Sequence, residues 1–375
     1  MSAEQRLQHL KSAMRRTGVD TLIALATGYH NFLDVNAVLI ASGYKSMCDV
    51  AAVLRSDGDD TLLVQPSWDV ERATRSSVIA DVRPTSDLPG SLAQAIHAEV
   101  LAGRRIGIAG LQRMPAALAD RILSMLPAGH IDCDEIVSRA GGLKTEERLA
   151  AATRAVQIAE QGYDYLLRIA APGMKESELA AQVYTYIKGL GADDNFMLLT
   201  SAQHGHGITT ASERVIDEGD VVVIEITPSV NGQFVQLPRT AYVGDPPEAL
   251  RKDVALLLDV FHAGLDAARC GSPVSRIATA MDEVMARHGY ADYCRPPYMR
   301  VRGHGMGNVS NAPGDITVDN HTILEEGMVF VIHPEQYLPR SGYLLIGEPV
   351  VMDFHGATVL TSRPCTLDLF TRSTK

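Results

Sequence analysis

The sequence has few aromatic residues and no long apolar run. Aromatic residues make up 5% of its 375 residues, although 46% are hydrophobic and 21% are charged. No apolar run reaches the roughly 18 residues that a membrane-spanning helix needs. The segment MSAEQRLQHLKSAMRRTG also lacks the apolar core of a signal peptide. We therefore expect a cytoplasmic chain with no membrane partner.

Cysteine pairs and basic charge are also scarce. The five cysteines are odd in number and include no C-x-x-C pair, which argues against a zinc knuckle or a redox motif. Reduced thiols fit a cytoplasmic protein. Lys and Arg number 34 against 45 Asp and Glu, which gives a net charge of −11. Such a chain repels phosphate backbones, so we expect no nucleic-acid partner.

The first 140 residues alternate between helical and strand patterns. Leu7, Leu10 and Met14 have helical spacing within a predicted helix over 3–17. The apolar segment DTLIALAT predicts a buried strand over 20–27, and Asp57-Gly58 predicts the turn of a hairpin over 50–65. We expect a small α/β domain over residues 1–140.

From residue 141 onward, long helical patterns are followed by strands. Thr145 is a suitable N-cap for a long helix that Pro172-Gly173 ends. Further patterns predict strands at 221–226, 234–244, 327–334 and 342–352. This order indicates an α+β domain over residues 141–375.

Charged or titratable residues interrupt three of these apolar strands. Glu225 lies within VVVIEI, His333 within MVFVIHP and Glu348 within LLIGEPVV. A charge in an apolar strand is costly unless it is paired, hydrogen-bonded or functional. Each residue taken alone could be a satisfied core histidine or a paired carboxylate.

Three histidines are flanked by glycines. His204 and His206 lie in QHGHG, and His304 lies in RGHGMG. Glycines on both sides of a histidine allow other groups to approach closely. The segment around His304 lacks the G-x-G-x-x-G spacing and the P-loop lysine, so we do not expect a nucleotide site. The order of these residues along the chain is more informative than any one of them.

Several motifs occur in a fixed order: RLQHLKSAMRRTGVDTLI, LKTEE, HGI, EGD followed by VVVIEITPSVNGQFVQLPRTAYVG, GHGMG and EGMVF. In this order they resemble the pita-bread superfamily of creatinase, prolidase and methionine aminopeptidase. The resemblance covers nearly the whole chain. It implies a creatinase/prolidase-like N-terminal α/β domain over 1–140 and a pita-bread catalytic domain over 141–375. Tyr29-His30-Asn31 is shared with the creatinase-like N-terminal pattern.

Metallopeptidases of this superfamily hold two metal ions with two Asp, one His and two Glu. The resemblance places Glu225 and Gln236 at the Asp positions and keeps the His as His304. It places His333 and Gly347 at the Glu positions. Two neighbouring divalent ions need several carboxylates to offset their repulsion. We therefore expect no dinuclear metal centre and no cofactor.

One divalent transition metal is an alternative. Glu225, His304 and His333 form a two-histidine, one-carboxylate set of the type that binds such an ion. If the pairing at Gly347 slips by one residue, Glu348 takes the carboxylate position and joins this set. The second peptidase histidine, seven residues after His304, is Asn311.

Metal-independent, creatinase-like members hydrolyse a C–N bond, and the resemblance implies this reaction on a small guanidino, amidine or amide molecule. His206 would act as general acid or base because imidazole titrates near neutral pH. The expected catalytic residues are His206, His304, His333 and Glu225, and the expected substrate-binding residues are His204, Gln236, Asn311, Glu348 and Lys45. Pro238 stands where creatinases carry a carboxylate, so creatine is not the expected substrate.

Two other functions stay open, and one assembly is expected. The chain could be a mononuclear metal-dependent hydrolase or lyase on the same fold, or a non-catalytic pita-bread binding protein. In creatinase-like relatives, the N-terminal domain of one subunit covers the pocket of its neighbour. The resemblance therefore implies a homodimer.

Overall fold

The computed structural model describes residues 3–29, 32–142 and 145–370. His30 and Asn31 of the creatinase-like motif, and Leu143 and Lys144 of LKTEE, lie outside the described residues. Contacts divide the chain into two compact units, Met1–Glu147 with Gly307–Asn311 and Arg148–Met306 with Ala312–Lys375. The predicted domain boundary after residue 140 stays a prediction.

The first unit is built on one mixed sheet. Its helices are α1 (Ala3–Thr17), α2 (Ala37–Ser42), α3 (Val70–Ser76), α4 (Leu88–Ala95), α5 (His97–Leu101), α6 (Ala116–Leu123) and α7 (Asp134–Gly142). Its strands are β1 (Thr21–Ala26), β2 (Val50–Arg55), β3 (Thr61–Val64), β4 (Asp81–Pro84), β5 (Ile106–Ala109) and β6 (Ile131–Asp132). The sheet order is β4-β3-β2-β1-β5-β6.

The apolar pattern of this unit explains its layers. Every residue of β1 is buried, as expected for a strand covered on both faces. Leu22 packs in one core cluster with Leu10 of α1, whereas Ile23 packs in another on the opposite face. The predicted hairpin is confirmed, because β2 and β3 pair antiparallel.

The second unit has long helices and three sheets. The helices are α8 (Glu146–Ile169), α9 (Glu176–Gly189), α10 (Glu248–Ala267) and α11 (Ser275–Arg287). The strands are β7 (Asn195–Ala202), β8 (Val221–Val230), β9 (Gln233–Phe234), β10 (Leu237–Val243), β11 (Gly303–Gly305), β12 (Val329–Ile332), β13 (Glu335–Leu338), β14 (Gly342–Leu345), β15 (Glu348–Met352), β16 (Ala357–Val359) and β17 (Asp368–Phe370).

Strand β8 lies in the sheet β17-β10-β8-β7, and a second sheet has the order β11-β12-β15-β16. Ile224 and Ile226 face one apolar cluster that includes residues of α8 and α9. Val221 and Val223 face another, which includes Phe330 of β12. Because strand residues alternate between faces, Glu225 shares the face of Val223. The α+β architecture is confirmed.

One predicted strand of the second unit is interrupted in the structure. The strand predicted over 342–352 breaks into β14 and β15 at Gly347, whose φ is +157°. A Cβ on this glycine would lie 2.3 Å from the carbonyl oxygen of Ile332. The break lets β14 pair with β13 while β15 pairs with β12.

No helix in the described ranges is long and apolar enough to cross a membrane.

Candidate active site

One face of β8 and of the segment that leads into β10 carries Glu225, Thr227 and Gln236. Pro238 lies opposite Glu225 in the antiparallel register. The N–H of Val235 donates to the carbonyl oxygen of Pro228 at 3.1 Å, which continues the same register. Gln236 therefore lies opposite Thr227, and both share a face with Glu225.

These three side chains are buried, and two of them lack partners. Within the described ranges, the hydroxyl oxygen of Thr227 and the amide oxygen of Gln236 have no hydrogen-bond partner. Burial, and then the nearby negative charge of Glu335, raise the pKa of Glu225 to about 8, although Arg300 acts in the opposite direction. This face therefore presents a mostly protonated carboxyl group at pH 7 and two unsatisfied oxygens.

His304 and His333 form a buried pair. His304 lies on β11 and His333 directly follows β12, so the pairing of these strands brings the two rings together. The ring centroids are 5.2 Å apart, and the planes meet at 76°. Nδ1 of His304 donates to the carbonyl oxygen of Gly305 at 3.0 Å, which fixes that ring. Neither ring nitrogen of His333 has a hydrogen-bond partner in the part of the chain that the structure describes.

Both histidines of this pair are neutral at pH 7. Burial lowers the pKa of His304 below its usual value. Burial lowers the pKa of His333 much further, and the neighbouring His304 and Arg300 act in the same direction. A neutral imidazole offers one nitrogen lone pair, which is the form that a metal ion or a hydrogen-bond donor requires.

Glu335 is a buried acidic residue that the sequence analysis did not select. One carboxylate oxygen accepts from the backbone N–H groups of Arg300 at 3.2 Å and Val301 at 3.1 Å. The other accepts from the hydroxyl of Tyr343 at 3.0 Å. Glu335 thus fixes the segment before β11 and places a negative charge near Glu225. The sequence segment HPEQ contains Glu335 and could have drawn attention to it. The sequence analysis did not select it because it did not predict β13.

The exposed His204 and His206 lie in an aromatic cluster instead of the buried pair. The His206 ring stacks on Tyr337, with centroids 5.2 Å apart, and the His204 ring meets Tyr337 edge-on at 5.6 Å. The N–H of Tyr343 donates to the carbonyl oxygen of Gly205 at 2.9 Å. A Cβ on Gly342 would lie 2.8 Å from that oxygen. The close approach of two glycines therefore positions the histidine loop.

Glu348 is held by Arg239. Nη2 of Arg239 donates to the two carboxylate oxygens at 3.1 and 3.0 Å, and the hydroxyl of Thr361 donates to one of them at 2.8 Å. Burial raises the pKa of Glu348, although Arg239 acts in the opposite direction. Both carboxylate oxygens of Glu348 are therefore hydrogen-bonded to other side chains of the protein.

Lys45 and Asn311 belong to the first unit. Their predicted role in binding substrate stays a prediction, as do the roles predicted for the other selected residues. The structure does bring together the buried pair His304 and His333. It also places Gln236 on the same sheet face as Glu225.

The donor set can be compared with the two-metal centre of the superfamily. By the resemblance described above, Gln236, His333 and Gly347 stand at three of the five ligand positions, which leaves fewer carboxylates than two neighbouring divalent ions need. The close contact described above for a Cβ on Gly347 also prevents an acidic side chain at that position without backbone movement. As placed, no three His, Cys, Asp or Glu side chains of the described residues are grouped to hold a metal ion.

A single ion fits the donor chemistry. Glu225 offers a carboxyl group that would release its proton on binding a metal, and His304 and His333 offer two neutral imidazoles. This set suits a divalent transition metal. The unpartnered ring of His333 can turn without losing a hydrogen bond. The charges of Glu335 and Arg300 act on both Glu225 and His304, which indicates that these two side chains share one electrostatic environment.

Comparisons with known proteins find that this chain is similar to peptidases. The pattern of metallopeptidase family M24 matches residues 150–354. An Xaa-Pro dipeptidase of Pyrococcus furiosus is 29% identical over 233 residues, which cover 61% of this chain and 65% of that protein. An uncharacterized peptidase of Bacillus subtilis is 27% identical over 236 residues with the same coverage of the two chains. The matched region thus spans slightly less than two thirds of these relatives.

Two solved structures show the same fold over nearly the whole chain. The prolidase of Pyrococcus horikoshii OT3 superimposes with a TM-score of 0.82 at 22% identity, covering 97% of this chain and 99% of the other. The X-Pro aminopeptidase of Thermotoga maritima gives a TM-score of 0.83 at 22% identity, again covering 97% and 99%. The predicted pita-bread fold, with its smaller α/β N-terminal part, is confirmed.

These matches contradict two of the predictions. The metal-independent, creatinase-like hydrolase and the expected absence of a cofactor are wrong, because the family and the dipeptidase relatives point to a metal-dependent peptidase. The expectation rested on the carboxylates missing at positions 236, 333 and 347, and it kept a single metal held by Glu225, His304 and His333 only as an alternative. Imidazole is itself a common ligand of divalent metals, so a histidine at position 333 is compatible with metal binding.

Proposed function

This chain belongs to metallopeptidase family M24, and from that premise we propose that it hydrolyses the C–N bond of a small peptide with one divalent metal ion. The observation that carries the proposal is the buried pair of neutral imidazoles, His304 and His333. Glu225 would supply the third ligand. Histidine lone pairs and one carboxylate form a ligand set that needs no second metal.

The chain's own residues have distinct roles in this proposal. Glu225, His304 and His333 would hold the ion, which when bound polarises a carbonyl and lowers the pKa of water. Glu335 fixes Tyr343 and the backbone ahead of His304 through three hydrogen bonds. His206, stacked on Tyr337 at the exposed aromatic cluster, would contact the substrate or transfer a proton.

A dipeptide is the substrate class that we propose first. The relatives from Pyrococcus furiosus and Pyrococcus horikoshii are named Xaa-Pro dipeptidases. A dipeptide has an amide C–N bond and two polar ends, which suits a small site with several buried polar groups. A homodimer and a cytoplasmic location stay predictions.

The test is hydrolysis of glycyl-proline by protein purified without chelator, followed by chelation and titration with Mn²⁺, Co²⁺ or Zn²⁺. We expect chelation to abolish activity and one equivalent of metal to restore it. His333→Ala should weaken metal binding by about 10- to 100-fold or more. His130→Ala changes an exposed histidine of the first unit and is the matched control. Full activity after complete chelation would contradict the proposal.

A further inference from the structure

The first unit contains a cavity at the carboxyl ends of two parallel strands. β1 and β5 pair in parallel, so both strands end at the same edge of the sheet. β2 is the next strand along the chain after β1, but it pairs on the other side of β1. The segments that leave β1 and β5 therefore diverge, which is the arrangement that forms ligand crevices in open α/β sheets. A cavity of about 380 Å³ lies there, within the size range of small-molecule sites.

The wall of this β1–β5 cavity is fixed by backbone hydrogen bonds. The lining comes from the end of β1 and the residues after it, the segment 34–36, the 3₁₀ helix Leu111–Arg113 and Asn308, all of which belong to the first unit. The N–H of Asn308 donates to the carbonyl oxygen of Asp34 at 2.5 Å, and the N–H of Asn36 donates to that of Asn308 at 2.8 Å. These bonds hold the segment that carries Asp34 without any ligand.

One cation and one anion lie side by side in this lining. Nε of Arg113 lies 3.3 Å from a carboxylate oxygen of Asp34, and the two side chains are 35% and 42% exposed. A strong charge-assisted hydrogen bond is shorter, at roughly 2.7–2.9 Å. The two Nη groups of Arg113 make no hydrogen bond within the part of the chain that the structure describes. They form an edge of the guanidinium group that can bind a carboxylate through two parallel hydrogen bonds.

This pair of charges selects a zwitterion. A simple anion on Arg113 would also face the negative charge of Asp34, and a simple cation on Asp34 would face Arg113. An α-amino acid carries its carboxylate and its ammonium group on one carbon, so it can contact both side chains at once. The Asp34 carboxylate has about four acceptor positions and can accept from the ammonium group while it keeps Arg113. Leu25, Ala26 and Val35 supply an apolar part of the lining, which suits a small aliphatic side chain.

We propose that the β1–β5 cavity binds a free α-amino acid with a small aliphatic side chain, with Arg113 on its carboxylate and Asp34 on its ammonium group. The site lies in the first unit and contains none of the residues proposed to hold the metal ion. The inference therefore stands independently of the proposed function.

Calorimetric titration with three small molecules tests this selection. L-Valine, isovalerate, which lacks the ammonium group, and valinamide, which lacks the carboxylate, are titrated into chelator-treated protein. We expect L-valine to bind one site per chain with a Kd below about 1 mM, and at least about tenfold more tightly than either analogue, because each analogue loses hydrogen bonds between charged groups. Isovalerate that binds as tightly as L-valine would overturn the inference, as would no binding of L-valine at about 10 mM.

Two charge-neutralising variants assign the binding to the cavity. Arg113→Gln and Asp34→Asn should each weaken L-valine binding by at least about tenfold. Arg121→Gln is the matched control, because Arg121 pairs with Asp87 at 2.7 Å in the same unit but does not line the cavity. L-Valine should raise the Tm of wild type and of this control, but not that of the two cavity variants. Wild-type affinity in both cavity variants would refute the site.

His333→Ala separates the cavity from the candidate active site. This variant should bind L-valine like wild type, because His333 lies in the second unit. Loss of L-valine binding in His333→Ala but not in Arg113→Gln would place the amino acid at the candidate active site and overturn the inference. Protein that binds L-valine as expected but does not hydrolyse glycyl-proline would refute the proposed function alone.

Discussion

Arg239 and Glu348 form an ion pair that is almost completely removed from solvent. The two carboxylate oxygens lie 3.1 and 3.0 Å from the same guanidinium nitrogen, and the two residues are 1% and 2% exposed. Another nitrogen of Arg239 donates to the carbonyl oxygen of Gly347 at 2.6 Å. The pair thus joins β10 to the break between β14 and β15. It lies next to the candidate site, but its hydrogen bonds are made within the protein.

Glu348→Ala should destabilise the protein without changing its metal stoichiometry. Removing one partner leaves the charge of Arg239 buried and unpaired, which typically costs about 3–5 kcal/mol. The free energy of unfolding in urea and a calorimetric metal titration measure the two effects. A large loss of metal affinity with unchanged stability would show that Glu348 is a ligand.

The carboxylate of Glu176, at the start of α9, should make stability depend on pH in acid. It accepts hydrogen bonds from the N–H and hydroxyl of Ser201 at 2.6 and 2.7 Å, and from those of Ser212 at 2.9 and 2.7 Å. Burial raises the pKa of Glu176, but these four bonds outweigh that effect and hold it below the usual 4.5. Its contribution to stability is therefore complete above pH 4.5 and decreases as the pH falls through the folded-state pKa.

Glu176→Gln should reduce the free energy of unfolding at pH 7 by about 2 kcal/mol, because the bonds to the charged carboxylate are weakened. The variant should also lose less stability than wild type when the pH is lowered from 5 to 3. Urea denaturation at several pH values measures both effects. Glu283→Gln, at an exposed position of α11, is the control and should behave like wild type. Identical pH profiles for the Glu176 variant and wild type would disprove this role.

Gly342→Ala should impair substrate turnover through the histidine loop. The added methyl group would meet the backbone of Gly205 at 2.8–2.9 Å. This contact would displace the loop that carries His204 and His206 from Tyr337. A displacement of about 1 Å can reduce kcat/KM by about 100-fold. Kinetics with glycyl-proline, together with thermal unfolding, measure the loss.

Gly289→Ala is the control for that experiment. Gly289 has a φ of +84°, close to the +76° of Gly342, but no atom lies within 4 Å of its added Cβ. Both variants should lose about 1–2 kcal/mol from backbone strain, and only Gly342→Ala should lose activity. Equal activity of the two variants would show that the glycine contact does not position the site.

Local patterns were sufficient to predict much of the fold. The spacing of Leu7, Leu10 and Met14 predicted α1 correctly, because periodic burial on one face defines a helix within a single segment. Asp57-Gly58 predicted the turn between β2 and β3 for the same reason. The break at Gly347 was not predictable in this way, because it depends on contact with Ile332 in another strand.

The site was only partly predictable, because its properties arise from packing. The apolar strand around Glu225 selected this carboxylate from the sequence, and burial raises its pKa to about 8. Its predicted role stays a prediction. Thr227 gave no signal, since a threonine in a strand is ordinary and its lack of a partner is visible only in three dimensions. The metal prediction failed because the missing carboxylates were given more weight than the alternative set of Glu225, His304 and His333.

Metal content per chain tests the central claim most directly. The protein is purified without chelators or an affinity metal column, reconstituted with Mn²⁺, Co²⁺ or Zn²⁺, desalted and measured by elemental mass spectrometry. We predict about one equivalent in wild type and a loss of most of it in Glu225→Ala and His333→Ala. Two equivalents, or less than about a tenth of one, would contradict a single-metal hydrolase built on Glu225, His304 and His333.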